Sequence, residues 1–274
     1  MAEAWIWGVA TLVVLMVWRR VLRAVLMRGA GATNAAGRIL EASETFGVLL
    51  IAAAETQAAA ELEAGPRALS TAVFGGVAVG AVVVSGRLVS RVFMQSNVGR
   101  AVADGNVAAA VAAGGHVVAA AVVASDCLIG SSLGELGIAV GAFLGASAAL
   151  HGLVTLFRML TTYDDAAEIR DGNVAAGLSH AGVCVALGLV VGNAVHGTWA
   201  GFGASAAAFG IALLWALALY PVRQFLVETL VLGGLPRIRG GKVDDGVGRG
   251  RDVGLAALET ASFLGVAVLA RSLA

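Results

Sequence analysis

The chain has 274 residues, 59% of them hydrophobic and only 13% charged, and its formal net charge is zero. A single aqueous core cannot absorb that much apolar surface, so an ordinary soluble domain is excluded, and zero net charge leaves no global field to favour nucleic acid. In lipid only helices and closed barrels satisfy their own backbone groups. Runs such as Ala108-Ala109-Ala110-Val111-Ala112-Ala113 lack the period-2 alternation of a barrel strand. The chain therefore reads as all-α, a polytopic transmembrane helical bundle of about eight helices.

Segment one covers about residues 5–27, with Arg19, Arg20, Arg23 and Arg28 at its far end, where long side chains can snorkel to the interface. It has no basic leader and no cleavage site, so it reads as a membrane helix rather than a secretion signal. Segment two, about residues 35–60, is interrupted by Glu41, Glu44 and Glu55 and closed by Glu61, Glu63, Gly65 and Pro66. Segments three to six span about residues 69–93, 107–125, 136–159 and 174–195. Segment seven, about residues 199–232, contains Pro221, which should kink or break it. Residues 233–251 read as a flexible, basic, Gly-rich cytoplasmic loop, and segment eight covers about residues 253–269. With this alternation every Lys and Arg except Arg67 and Arg271 falls on one side, so the positive-inside rule predicts both termini outside.

Asp104-Gly105-Asn106-Val107-Ala108-Ala109 returns as Asp171-Gly172-Asn173-Val174-Ala175-Ala176, with fainter echoes at Asn34-Ala35-Ala36 and Asp252-Val253-Gly254. Each copy opens an apolar run, which predicts four two-helix repeats of common orientation at residues 1–65, 66–130, 131–198 and 199–274. Asn106 and Asn173 are placed to cap their helices, Gly105 and Gly172 to allow a sharp turn, and Asp104 and Asp171 to complement the helix dipole. The functional alternative is that these helix N-termini converge on one anion or headgroup site.

Counting from the motif Asn or Asp, Glu41, Ala113, His180 and Glu259 stand seven positions in, and Glu44, His116, Val183 and Ser262 ten. These levels lie roughly 10 and 15 Å into the helices and share one face. Ionisable groups at such depth mark a functional site by default. Glu41, Glu44, His116, His180 and Glu259 thus form a candidate midplane cluster able to carry protons or bind a cation. The alternative makes segment two shallow and the histidines neutral packing residues. His151 reads as packing, His196 as interfacial, and Glu55 and Glu228 as near helix ends. Cys127 and Cys184 form no CxxC and read as small apolar fillers. The residue types permit zinc, but no ligand spacing supports it, and no metal or cofactor is expected.

Gly76 and Gly80, Gly188 and Gly192, and above all Gly137, Gly141 and Gly145 have the spacing of close helix crossings, within the bundle or between subunits. Trp5, Trp7 and Trp199 read as interface anchors. No phosphate loop, nucleophile elbow or metal-ligand signature is present, so no enzymatic activity is expected.

Leu160-Thr161-Thr162-Tyr163-Asp164, followed by Glu168-Ile169-Arg170-Asp171-Gly172-Asn173-Val174-Ala175-Ala176, resembles the bacterial inner-membrane family termed domain of unknown function 350. The resemblance runs over about residues 97–232, with the flanking pairs reading as diverged copies in tandem. It implies a multi-pass protein of the bacterial inner (plasma) membrane with no established activity and no catalytic residues to assign. The function it suggests is a scaffold or partner of a membrane-maintenance or envelope-stress system. The alternative is a proton- or cation-conducting module. Expected partners are the lipid bilayer, a second copy through small-residue faces and a membrane-stress protein, with no nucleic acid.

Overall fold

The computed structural model describes residues 2–26, 33–93, 98–128, 130, 132–196 and 201–273. Helix α1 is Ala2–Leu26 and α2 is Ala35–Ala58; α3, Ala64–Ser70, runs through a π-helical turn, Thr71–Gly75, into α4, Gly76–Phe93. Then come α5, Val98–Ala103; α6, Val107–Cys127; α7, Leu133–Leu160; α8, Asp165–Arg170; and α9, Val174–Ala194. Helix α10, Phe202–Arg223, continues as a π-helix, Gln224–Val231; α11, Lys242–Asp244, continues as another, Asp245–Arg249; α12 is Val253–Leu273. The described residues contain no strand.

Among the described residues, seven helices are long and apolar enough to cross a membrane. Helix α2, with 24 residues, has the length, but it carries Arg38, Glu41, Glu44 and Glu55. The protein is a multi-pass integral membrane protein, and its environment is the lipid bilayer.

Helices α2, α6, α9 and α12 pack side by side in that order, and α1, α4, α7 and α10 flank the row. Helices α6 and α9 are apolar on every side and almost wholly buried, as a helix enclosed by others requires. Small residues set their approach: a Cβ on Gly188 would stand 3.0 Å from the Ala119 Cα, and one on Gly177 2.6 Å from the Ala108 carbonyl oxygen. Gly76 lies against the Trp18 indole of α1, 3.0 Å from where a Cβ would be. Gly137, Gly141 and Gly145 differ from the expected within-bundle contact, because nothing lies within 4 Å of a Cβ placed on any of them. They face outward on α7.

The repeated motif is a stop signal and a start signal joined. Gly105 and Gly172 adopt φ of +90° and +80°, a conformation open to glycine at little steric cost. The Gly105 N–H donates to the Val102 carbonyl at 3.1 Å and the Asn106 N–H to Ala101 at 2.9 Å, with Gly172 and Asn173 repeating the pattern on Ile169 and Glu168. This is a Schellman ending for short helices α5 and α8. The following asparagine then opens the next helix, its Oδ1 accepting from Ala109 at 2.9 Å or Ala176 at 3.2 Å. Asn34 caps α2 through Gly37 at 2.8 Å, and Asp252 caps α12 through Leu255 at 3.0 Å.

The asparagine amides reach further. Asn34 Nδ2 donates to the Val102 and Ala103 carbonyls at 2.9 and 3.0 Å, at the end of α5. Asn106 Nδ2 does the same to Ile169 and Arg170 of α8 at 2.9 and 3.1 Å. Asn173 Nδ2 donates to Val247 and Gly248 at 2.9 and 3.2 Å, in the π-helix before α12. Each cap therefore also holds the short helix that precedes the next cap. Aspartate has no amide donor, so the relay stops at Asp252.

Two local expectations change. Pro221 does not break α10; the loss of its donor is absorbed by the wider winding that begins three residues later, at Gln224. Residues 242–249 form helical turns instead of a flexible loop, with Val243 and Val247 buried. Glu228 accepts from the backbone N–H of Lys242 at 3.1 Å and of Val243 at 2.8 Å. Asp244 accepts from the Thr162 N–H at 2.8 Å, tying the segment to the end of α7.

Candidate functional site

Arginines near the motif end of the flanking helices meet the deep acids of the inner row. Arg19 and Arg158 each stand fifteen residues before their motif asparagines, Asn34 and Asn173; Arg91 holds the same sequence distance from Asn106. Buried Arg19 of α1 donates to Glu44 Oε2 through Nε at 3.4 Å and Nη2 at 3.2 Å, and Arg23 pairs with Glu41 Oε1 at 3.1 Å. On α10, Arg223 is 1% exposed and pairs with Glu259 Oε1 of α12. The other Glu259 oxygen accepts from Ser179 Oγ of α9 at 2.6 Å. Arg223 also donates to Gln224 Oε1 at 2.6 Å, and Gln224 Nε2 donates to the Arg237 carbonyl at 2.7 Å.

The third pair differs for a reason visible in the sequence. Where α12 has Glu259, α9 has His180, which gives an arginine no carboxylate, and Arg158 pairs instead with Asp165 Oδ2 of α8 at 3.3 Å. Burial pushes the Asp165 carboxyl up to about 7, against the opposing pull of Arg158. Burial likewise raises the Tyr163 hydroxyl, and it raises Asp244 against the bonds from Thr162.

At the centre of the row His116 of α6 faces His180 of α9, Nε2 to Nε2 at 2.8 Å. Cys184, one turn after His180 on the same face, puts its Sγ 3.5 Å from His116 Nε2 and 3.6 Å from Nδ1. All three are buried. The His151 ring of α7 lies 5.7 Å from that of His116.

A further set sits at the opposite end of the inner helices. Asp126 at the end of α6 receives Arg271 of α12 in a two-pronged pair at 2.7 and 2.9 Å, and His196 Nδ1 lies 3.0 Å from its Oδ1. Glu55 is fully buried on α2, within 3.3 Å of Ser70 Oγ through Oε2, and its Oε1 has no hydrogen-bond partner among the described residues. Arg67 lies over the Trp7 ring at 5.1 Å.

Of the five candidate midplane residues, the structure joins His116 to His180, Glu41 and Glu44 to α1, and Glu259 to α10 and α9. They share a level but divide among three sets of partners. The cap residues Asn34, Asn106, Asn173 and Asp252 occupy separate helix starts, each committed to local bonds, while Asp104 and Asp171 are exposed. Trp199 lies outside the described residues. Sequence reasoning missed the arginine partners, because Arg19, Arg158 and Arg223 read as loop or interface charges. For Arg19 and Arg158 the shared fifteen-residue step to the motif was the available signal, while Arg223, 29 residues before Asp252, carries no such mark. It also missed Cys184, although a four-residue step from His180 puts both side chains on one helical face.

No curated protein and no solved structure matches the chain. The profile of the family described as Domain of Unknown Function (DUF350) matches residues 131–273, further toward the C-terminus than the stretch of resemblance at 97–232. The match takes in α7 to α12, including the His180–Cys184 step, the Arg223–Glu259 pair and the last two capped helices. It spans more than half of the sequence, and the chain belongs to the DUF350 family.

Proposed function

We propose that the protein is a non-enzymatic scaffold of the bacterial inner membrane, a partner of a membrane-maintenance or envelope-stress system, made of four two-helix repeats inserted with both termini outside. One observation carries the reading. Each acid of the candidate cluster is held by an arginine of a neighbouring helix: Glu44 by Arg19, Glu41 by Arg23 and Glu259 by Arg223. The Arg19–Glu44 and Arg223–Glu259 pairs are buried, whereas Glu41 is exposed. A buried pair gains little net stability over apolar packing but is costly to break, about 3–5 kcal/mol when one partner is removed. Such groups fix helix order and register; a carrier must exchange partners in each cycle.

The competing reading, a proton- or cation-conducting module, draws on the edge-to-edge His116–His180 contact. Flux in proteoliposomes separates the two. The scaffold reading expects proton, sodium and potassium permeability equal to that of protein-free vesicles, unchanged by His116→Ala with Glu44→Gln. Flux above that background which falls in the double variant rejects it. In cells, deleting the gene should raise an envelope-stress reporter while leaving ion gradients unaltered.

A further inference from the structure

The three side chains at the centre of the row compose a metal-binding triad. His116 Nε2, His180 Nε2 and Cys184 Sγ lie within 4.8 Å of one another, all buried. Without an ion, one proton shared between two imidazole nitrogens 2.8 Å apart and a thiol 3.5 Å from the same His116 nitrogen make a hydrogen-bonded set. With those protons displaced, the same three atoms offer lone pairs toward one point. Histidine and cysteine at i and i+4 on α9 present two donors from one rigid face, and α6 supplies the third.

We propose that His116, His180 and Cys184 bind one cuprous ion. The charge selects it. Three protein donors suit a zinc ion as well, with a water in the fourth position. His151, the nearest further imidazole, stands with its ring 5.7 Å from that of His116. Thiolate donors suit monovalent copper and zinc alike, so charge decides between them. Binding replaces the Cys184 S–H bond with a sulfur–copper bond and releases that proton to solvent, and the imidazole whose proton sat on Nε2 carries it on Nδ1 instead; no electron is transferred. One thiolate and one monovalent cation leave the site neutral, whereas a divalent ion would leave a net positive charge beside Arg158 deep in the bundle, at several kcal/mol. Nitrogen ligands about 2.0 Å from a shared ion stand roughly 3.5 Å apart in a trigonal site, so the two rings must part by about 0.7 Å. That is a side-chain adjustment. The ion would clamp α6 to α9, the middle of the inner row.

The test is anaerobic titration of the full chain in detergent with cuprous ion against a competing chelator, followed by X-ray absorption. The expected result is about one copper per chain, a cuprous edge, no paramagnetic signal, and a first shell of one sulfur and two nitrogens. Cys184→Ser and His180→Gln, each monodisperse on size-exclusion chromatography, should lower the affinity by at least about tenfold. Absence of copper uptake by monodisperse wild-type protein overturns the proposal, as does zinc retained in preference to copper. So does a first shell without sulfur, a readout that needs no variant.

Discussion

Asn106 does two jobs with one amide: its oxygen caps α6 and its nitrogen holds two carbonyls at the end of α8. Removing the cap costs about 1 kcal/mol, and carbonyls stripped of their donor cost about 1–3 kcal/mol if they stay buried. Asn106→Ala should therefore lower stability in detergent by about 2–4 kcal/mol. Asp252→Asn, which gains an amide that meets no short helix among the described residues, should stay within about 0.5 kcal/mol of wild type. Thermal unfolding followed by intrinsic fluorescence checks both, and a loss of only about 1 kcal/mol in Asn106→Ala, that of the cap alone, would show that the nitrogen bonds contribute nothing. The capping role was legible in Asp104-Gly105-Asn106 because Gly and Asn carry local signals. The donation across to α8 was not, since nothing in a six-residue word says which carbonyls will lie beside it.

At the level of helices, the chain distinguishes two kinds of glycine. Gly188 meets Ala119 of α6 at close range, whereas Gly141 on α7 meets nothing. Overpacking a tight crossing costs about 1–3 kcal/mol or more. Gly188→Leu should lower the unfolding temperature clearly and Gly141→Leu should not; the reverse order would mean that α7, not α9, lies at a close crossing. The seven apolar helices were legible from length and hydropathy, because a bilayer imposes one length on all of them. Which small-residue stripes turn inward was illegible, since Gly137, Gly141 and Gly145 obey the same spacing as a buried crossing. The division of the candidate polar residues into pairs was not legible, because it depends on arginines that hydropathy assigns to the water.

The whole molecule has two unlike ends. The bonds of Asn34, Asn106 and Asn173 gather the starts of α2, α6, α9 and the segment before α12 at one end. Asp126 brings together the far ends of α6 and α12 with His196, just beyond α9. Single cysteines at Asp104, Asp171 and Arg249 should then react with a membrane-impermeant maleimide from one side, and cysteines at Glu61 and Ser132 from the other. Native Cys127 and Cys184 are buried and add no background. Labelling of Asp104 and Asp171 from opposite sides would defeat the common orientation. The distribution of basic residues predicts that orientation, with Arg67, over Trp7, and Arg271, paired with Asp126, as its exceptions.

The amide relay also bears on how such a protein can lengthen. A duplicated helix pair spliced in between existing ones would present an asparagine to its successor and carbonyls to its predecessor, so growth from within needs no new contacts to be invented. Growth at the tail does: the carboxylate at position 252 offers a newcomer nothing, and one nitrogen in place of one oxygen would lift that stop.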